Sequence, residues 1–595
     1  MTRYRYLFCS LQIVMVISIT SSISAQNILS DMDHDQRHLF DRMIILTNGG
    51  PHNMHSSIFP YLRSDLVALA DTFAKRSLSA IDAHMVQSIW DQNNEFVIPN
   101  TSASDSTIEY IDSTRTFHYL REGSEIQRYR KSKHPLWNTF YRTPAHLYEV
   151  DIKDFYLRVN PILHVAAGKE TNEDVTTFSN QRGLSIRGGI GHNVYFHTSL
   201  YDSQIRFTNY INRFTDATGV VPGAGFYKNY ESTFFKFTQG RDFLLANAYV
   251  GIDLGKYFGI QLGHNQHFIG DGIRSLFLSD FSTPFFSLKI NTRIWKFHYQ
   301  NIFAELSADN FASALTNGVP IPKKYMAAHY LSFKPANNIT LGLFETVIFD
   351  REGHQFELQY LNPVILFRTV EGSIGSPDNV ILGLNARWNI KQAFSFYGQF
   401  VLDDILISEI LNGRLGWWGN KFGHQLGAKY INAGGIDHLD LQVEWNQVRP
   451  YTYSHYDDHG NYSHYKQALA HPLGANFNEW ITSLRYQVTP RIGLHSSLHI
   501  ITKGEDFSDS VSFGGNILIP NTLRTGDFDH TIGQGVHTDI VFWNSTVRYE
   551  VSSGLFVDFK YLYRNQKSDI TERALKTNLF LLGIRLNAAR REDVF

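Results

Sequence analysis

The stretch Gly263–Pro284, GHNQHFIGDGIRSLFLSDFSTP, contains residue types that could do chemistry: two histidines, His264 and His267, and a glycine pair at 270 and 272. Histidines three residues apart point to opposite faces of an extended strand and could not share a metal ion there. A phosphate-binding loop needs a longer glycine pattern that opens into a helix. We therefore expect a glycine-shaped loop folded against or into a larger structure, with ligand contact as a lesser alternative and catalysis least favoured.

The composition excludes several function classes. The 54 Lys and Arg residues nearly balance the 56 Asp and Glu residues, so no basic field indicates nucleic acid. The N-terminus has two arginines, a short apolar core and a small-residue site ending at Ala25, which together predict a cleaved signal peptide over 1–25. Since the single cysteine, Cys9, lies inside this segment, the exported chain should contain no disulfide and no thiolate metal site. No cofactor is predicted.

Residues 26–149 are predicted to form a small helical module. The segments Ser64–Arg76 and Ser79–Gln92 place apolar residues at helical spacing, and Ser79 with Asp82 resembles a capping box. We expect this module to be a plain packing domain rather than a binding site.

From about residue 150 the apolar period changes to two, as in LDLQVEWNQ, FSFYGQFVL and VDFKYLY. Strands that are apolar on one face and charged on the other fit either a soluble sandwich or an outer-membrane barrel. Short turns alternate with long connections along the chain, and this alternation favours the barrel. We predict an antiparallel all-β transmembrane barrel of about eighteen strands over 150–595.

The predicted strands begin near 154, 182, 193, 244, 258, 285, 294, 325, 339, 380, 394, 422, 439, 480, 492, 541, 556 and 578. The segment 356–367 could be another strand, but it would break the alternation, so we place it in a long outer loop. The last predicted strand ends in Phe595, a terminal aromatic of the kind that barrel-assembly machinery commonly recognises.

Several stretches resemble the Wzi-type capsule-assembly family, above all its Bacteroidetes branch, which includes gliding-motility proteins of the RemB type. They include GRDFLLANAYVGIDLG, GHNQHFIGDGIRSLFLSDFSTPFFSLKI, YLNPVILFRTVEGSIGSPDNVILGLNARWNI and VEWNQVRPYTYSH. The resemblance implies an outer-membrane barrel with a helical module at the periplasmic side. It also implies a lectin-like, non-enzymatic role in holding surface polysaccharide, with gliding and adhesion as further associations.

The outer loop Arg449–Phe477 is the richest candidate for sugar contact. Aromatic faces beside carboxylates suit sugars, which combine apolar ring faces with hydroxylated edges. The candidate carbohydrate-binding residues are Tyr451, Tyr453, Tyr456, Asp457, Asp458, Tyr462 and Tyr465, with Trp417 and Trp418 from a neighbouring loop. A self-packed loop and an interfacial aromatic girdle are the alternatives. A divalent-ion site at His455, His459, His464 and Asp457 is an alternative that no fixed ligand spacing supports, so no metal is predicted.

Charged residues on the predicted strands should face the lumen, because a charge facing lipid is costly. The residues concerned are Glu345, Arg387, Glu444, Arg485 and Arg548. We expect them to form a network of salt bridges that rigidifies a plugged lumen, in preference to a conduction pathway.

Three functions from different classes remain open at this point. The first is a barrel that binds or anchors capsular or surface polysaccharide, the second a gliding or adhesion component working with envelope proteins, and the third an outer-membrane channel or hydrolase. No nucleophile–base motif of a known kind survives the predicted topology, so we do not expect an enzyme. The expected location is the outer membrane, with its lipid as a further partner.

Overall fold

The computed structural model describes most of the chain from Ile28 onward. The described residues are 28–97, 108–112, 115–118, 131–152, 154–172, 175–191, 193–232, 237–309, 318, 320–351, 355–375, 378–405, 407–591 and 595. The predicted signal peptide over 1–25 lies outside these residues.

Eighteen antiparallel strands close into one barrel, and the last pairs with the first through Leu579–Leu586 and Leu163–Glu170. The strands are β1 Phe155–Glu170, β2 Val175–Ile190, β3 Val194–Arg206, β4 Phe237–Leu254, β5 Phe258–Asn265, β6 Phe285–Ile294, β7 Phe297–Ser307, β8 Lys323–Ala336, β9 Ile339–Phe349, β10 Asn379–Ile390, β11 Phe394–Asp404, β12 Lys421–Tyr430, β13 Leu439–Val448, β14 Phe477–Gln487, β15 Ile492–Glu505, β16 Val536–Ser552, β17 Leu555–Ser568 and β18 Leu575–Leu586. Two short strands, Tyr148–Ile152 and Lys228–Ser232, pair antiparallel with the first residues of β1 and β4.

The predicted fold class is confirmed, and each of the eighteen predicted strands has its counterpart. Short turns join β2 to β3, β4 to β5 and so on at one end, which we call the periplasmic end. Most connections at the opposite, outer end are long loops, apart from the short connections from β1 to β2 and from β17 to β18. The ambiguous segment 356–367 is not a strand, because it holds the 3-10 helix Leu358–Leu361 and the start of an α-helix.

Side chains alternate between the two faces of the wall, as a pleated strand requires. On β4, Leu244, Val250 and Leu254 are exposed on the outside, whereas Tyr249 is buried in the interior. Among the described residues, no helix is both long and apolar enough to cross a membrane.

Three helices fill the periplasmic part of the lumen: α1 His34–Leu46, α2 Arg63–Phe73 and α3 Ala80–Gln92. The two predicted helices correspond to α2 and α3, and the capping box at Ser79 and Asp82 is present. Helix α1 was not predicted. Its buried face includes Arg37, Asp41 and Arg42, and these charged side chains obscure the apolar period.

Residues 266–284, most of the stretch Gly263–Pro284, form a loop between β5 and β6 that folds into the lumen. Its residues Phe268–Ile269 pair with Ile58–Phe59 of the N-terminal module in a two-stranded sheet. The two histidines diverge as expected: the ring of His264 packs against Phe286, while His267 is buried and contacts Ser287 at 3.3 Å. We call residues 266–284 the inserted loop.

The outer end of the barrel is covered by its own loops. The loop 449–476 crosses the mouth, where Tyr453 donates a hydrogen bond to Leu276 O (2.7 Å) in the inserted loop, and Tyr465 N donates to Ser307 O (2.9 Å) on β7. Helix α4, Asn209–Thr218, lies in the connection between β3 and β4 and is part of the loops that cover the mouth.

The C-terminal residues turn back into the barrel after β18. Phe595 does not end the last strand, so that prediction is wrong. Its ring packs against Tyr210, Phe214 and Phe281, and its carbonyl accepts from Arg564 (3.2 Å). The outward aromatic belt therefore does not include this residue.

One outer loop instead folds down over the outside of the wall. It carries helix α5, Phe367–Ile374, which packs on outward-facing residues including Val347 and Phe349. Glu345 lies beneath it, on the same face as the exposed Leu341 and Leu343, and its carboxylate accepts from Arg368 N at 3.4 Å. The prediction that Glu345 faces the lumen is therefore wrong: the covering loop, and not the lumen, shields its charge from lipid. A further helix, α6 Ile407–Leu411, lies between β11 and β12.

A methyl group at Gly272 should displace the inserted loop. A Cβ there would lie 2.5 Å from Glu444 Oε2 and 2.7 Å from Gln425 Oε1, well inside van der Waals contact. We expect Gly272→Ala to lower the free energy of unfolding by about 1–3 kcal/mol, the usual cost of overpacking. The measurement is the temperature at which the purified barrel loses its compact mobility in heat-modified electrophoresis. Gly526→Ala is the matched control, because a Cβ there meets nothing within 4 Å; equal midpoints for the two variants would contradict the prediction.

Candidate functional site

A buried ionic network joins the wall of the barrel to the N-terminal module. Arg387 Nη1 on β10 lies 2.8 Å from Asp41 Oδ1 of α1 and 3.1 Å from Asp271 Oδ1 of the inserted loop. Lys429 Nζ on β12 lies 2.6 Å from the other Asp41 oxygen and donates to Asp271 O at 2.7 Å. Burial raises the pKa of Asp41, but Lys429 and Arg387 outweigh it and hold that pKa below its usual range. Two barrel cations are thus neutralised by the contents of the lumen.

A second cluster centres on Asp35, at the start of α1. Its carboxylate contacts Arg485 at 2.6 Å, Arg548 at 3.2 Å and Arg590 of the C-terminal tail at 2.9 Å. Burial raises the pKa of Asp35, but the three guanidinium groups hold it well below the usual value. One carboxylate therefore binds the module, two strands and the tail together.

Glu444 on β13 holds the inserted loop by its backbone. Its carboxylate accepts hydrogen bonds from Ile273 N at 2.6 Å and Arg274 N at 3.0 Å, and from the hydroxyl of Tyr397 at 2.7 Å. Four of the five predicted lumen residues are thus in the lumen. However, Arg387, Glu444, Arg485 and Arg548 contact the module and the inserted loop rather than one another.

Three outer loops bring a group of half-exposed aromatic residues together. Trp418 N donates to Asp527 O (2.9 Å), and the Arg524 guanidinium lies over the Trp418 ring at 4.2 Å. Thr522 donates to the carbonyl of Tyr456 at 3.3 Å, which ties the neighbouring loop to the same surface. We define the outer aromatic patch as Trp417, Trp418, Tyr456, Asp457, Asp458, Arg414, Arg524 and Phe528.

The patch presents both ring faces and charges to the outside. Tyr456 and Phe528 are each 47% exposed, and Arg414 lies over the Phe528 ring at 5.3 Å. The Asp458 side chain is 77% exposed. Such a surface offers apolar faces beside hydrogen-bonding groups, the combination that a sugar ring requires.

Four of the predicted sugar-contacting tyrosines do not belong to this patch. Tyr451, Tyr453 and Tyr462 are at most 1% exposed, and Tyr453 stacks on Tyr462 with ring centroids 5.7 Å apart. The prediction that these three stack on sugars is wrong, because their faces are used to pack the loop over the mouth. Tyr465 is half-buried on the far side of that loop, beside Ser307.

Asp457 has a structural role in the turn that presents Tyr456. It accepts from His459 N at 3.0 Å and Gly460 N at 2.5 Å, and His455 Nδ1 lies 3.3 Å away. Burial raises its pKa, but these hydrogen bonds hold it below the usual range. Within the described part of the chain, no three His, Cys, Asp or Glu side chains gather as metal ligands.

Several residues of the buried ionic network and of the outer aromatic patch were not predicted from the sequence. Arg524 and Phe528 lie in the loop 506–535, which has no distinctive spacing, and only the fold brings them beside Trp418. Asp271 lies between Gly270 and Gly272, but nothing in the sequence indicated that it would form an ion pair with Arg387.

These features define an outer-membrane β-barrel whose lumen is plugged by an N-terminal module and whose mouth is covered by loops. The chain belongs to the Wzi capsule assembly family: the model of that family, described as "Capsule assembly protein Wzi", matches residues 169–578. No curated protein matches the chain in sequence.

The solved structure of Wzi from Escherichia coli has the same fold at low sequence identity. Wzi of Escherichia coli, described as an outer membrane protein involved in group 1 capsule assembly and a carbohydrate-binding β-barrel, is 13% identical with a TM-score of 0.55; the match covers 95% of this chain and 100% of that one. OprD of Pseudomonas aeruginosa is 11% identical with a TM-score of 0.41, over 72% and 94% of the two chains.

Removing Asp41 should loosen the module from the wall. Asp41→Ala leaves Arg387 and Lys429 buried without their shared carboxylate, and breaking such a pair costs about 3–5 kcal/mol. We expect a lower unfolding temperature and faster proteolysis within residues 28–97. Asp202→Ala is the control, because its partner Arg182 is exposed and such pairs contribute less than about 1 kcal/mol. Similar losses in the two variants would contradict a special role for the buried pair.

The contribution of Asp41 should depend on acid pH. Its pKa is depressed in the folded protein, so its stabilising effect is fully present above the unfolded value of about 3.9 and is lost as the pH falls through the folded value. We expect the difference in unfolding temperature between the wild type and Asp41→Asn to stay constant from pH 8 to pH 5 and to shrink below about pH 4. If the difference in unfolding temperature shrank only above pH 6, the stabilising effect would not depend on the ionised carboxylate of Asp41.

Proposed function

We propose that the protein binds capsular or other surface polysaccharide at the outer aromatic patch and anchors it to the outer membrane without catalysis. The observation that carries the proposal is the convergence of Trp417, Trp418, Tyr456 and Phe528 beside Arg524 at the outer end. Membership of the capsule assembly family and the shared fold with Wzi of Escherichia coli, a carbohydrate-binding β-barrel, support it.

The lumen supports anchoring over conduction. Arg387, Arg485 and Arg548 of the wall are paired with carboxylates of the module and the inserted loop, so these charges are not free to attract permeating ions. We infer that the division into a signal peptide over 1–25, a plug module over 26–149 and a barrel over 150–595 serves this role: the module closes the barrel and the outer loops hold the glycan.

The patch is tested by replacing its indoles. Trp417→Ala/Trp418→Ala should weaken binding of purified surface polysaccharide at least tenfold, since buried aromatic anchors contribute about 2 kcal/mol or more. Binding is measured by pull-down or biolayer interferometry on the full-length protein. Trp295→Ala is the matched control, because Trp295 is 67% exposed at the periplasmic end. Polysaccharide binding that survives in the double variant, with its unfolding temperature unchanged, would refute the patch as the site.

Deletion of the protein in its host separates anchoring from motility. Release of polysaccharide into the medium, with cell spreading intact, is the expected result. Cells that keep their capsule but stop spreading would instead favour the gliding or adhesion role of the related Bacteroidetes branch and its envelope partners.

A further inference from the structure

A hairpin that precedes the barrel lies against the outside of the wall at the periplasmic end. We call residues 131–142 the basic hairpin. It leads into the short strand Tyr148–Ile152, which pairs with the first residues of β1. The ring of Phe140 lies 6.2 Å from that of Tyr148, which is exposed on the outside, whereas the next residue, Glu149, is buried against the N-terminal module. The basic hairpin therefore packs on the lipid-facing side of this strand.

The tip of the basic hairpin holds a tryptophan in a strained and exposed position. Leu136 and Phe140 exchange backbone hydrogen bonds of 2.9 and 3.0 Å, so residues 137–139 form the turn. Trp137 has a φ of 50°, in the left-handed region that bulky side chains rarely adopt, and it is 78% exposed. Leu136 beside it is also exposed. A strained turn that presents apolar side chains away from the protein is costly in water, so it indicates an apolar surface that receives them.

The remainder of the basic hairpin is positively charged. Lys131, Lys133 and Arg142 are exposed, and no Asp or Glu occurs between 131 and 147. Cations beside an apolar tip match a phospholipid surface of opposite charge, because apolar rings enter the acyl chains while the cations stay at the phosphates.

Two turns of the wall carry the same combination of residue types at this end. Trp295, between β6 and β7, is exposed with a φ of 54°, and Lys296 Nζ lies 5.5 Å from its ring centroid. Tyr257, between β4 and β5, is exposed with Lys256 Nζ 4.8 Å from its ring centroid. Amphipathic aromatic rings of this kind mark the interface between a bilayer and water. The basic hairpin therefore continues this interfacial belt beside β1.

We propose that the basic hairpin binds the anionic phospholipids of the periplasmic leaflet. Trp137 lies among the acyl chains, and Lys133 and Arg142 pair with the lipid phosphates. A soluble acidic partner would satisfy the cations alone, whereas the bilayer around the wall satisfies the cations and the apolar tip together. The site lies at the opposite end of the barrel from the outer aromatic patch and does not depend on it.

The charged part of the site is tested in nanodiscs made from equal parts of phosphatidylethanolamine and phosphatidylglycerol. After transfer of the protein to detergent, native mass spectrometry counts the lipids that remain bound. The wild type should retain phosphatidylglycerol in preference to phosphatidylethanolamine. Lys133→Gln/Arg142→Gln should lower this preference at least fivefold, because one cation near an anionic membrane surface contributes about fivefold in affinity.

Lys75→Gln/Lys228→Gln is the matched control. It removes the same charge from two exposed positions, one directly after α2 in the module and the other in the short strand beside β4 at the outer end. This variant should retain phosphatidylglycerol like the wild type.

The apolar tip is tested by tryptophan fluorescence in vesicles of phosphatidylglycerol that carries bromine on its acyl chains. The emission that Trp137→Phe removes should be quenched by these lipids, because the indole lies among the chains. The emission that Trp90→Phe removes should not be quenched, since Trp90 is buried in the module inside the barrel.

Three results would overturn the inference. The wild type could retain the two phospholipids equally. The two charge variants could lower the retention equally, which would assign the effect to the net charge of the protein. The Trp137 emission could escape quenching, which would place the tip in the periplasm, facing a soluble partner.

Discussion

The structure depends on the neutralisation of charges that the barrel wall directs into its own lumen. Arg387 and Lys429 are buried on neighbouring parts of the wall, and a buried cation without a counter-ion is costly. Asp41 and Asp271 supply that charge from two separate segments, so the wall, α1 and the inserted loop fix one another. The cluster at Asp35 repeats the arrangement with the C-terminal tail. The position of the plug is therefore set by ion pairs rather than by apolar packing alone.

Most of the wall could be predicted from the sequence because a barrel strand has a local signature. Alternating apolar and polar residues, with short turns at one end and long loops at the other, located all eighteen strands. The predictions that failed concern residues whose surroundings are set by distant parts of the chain. Glu345 alternates in the sequence with outward-facing residues, but its charge led to the prediction that it faces the lumen. Nothing in the sequence indicated that an outer loop would cover it on the outside of the wall. Helix α1 was missed because its buried face carries charges that only the barrel explains.

The candidate site was predicted in part for a similar reason. Aromatic residues in outer loops are recognisable in the sequence, but burial separates those that pack from those that face outward. Tyr453 and Tyr462 stack on each other, whereas Tyr456, three residues after Tyr453, is half-exposed. The cations of the patch, such as Arg524, come from a loop more than a hundred residues from Trp418 and meet it only in the folded barrel.

The C-terminal tail in the lumen has a consequence for biogenesis. The tail follows β18, whose edge forms the seam with β1, and Asn587 Nδ2 already contacts Pro161 O across that seam at 3.0 Å. Arg590 reaches Asp35 of the module, which precedes the first strand in the chain. Because the module precedes the first strand and the tail follows the last, the Asp35–Arg590 pair joins the two ends of the chain inside the lumen. This pair can form only when the module and β18 are both in place, so the last step of plugging is tied to the closing of the seam.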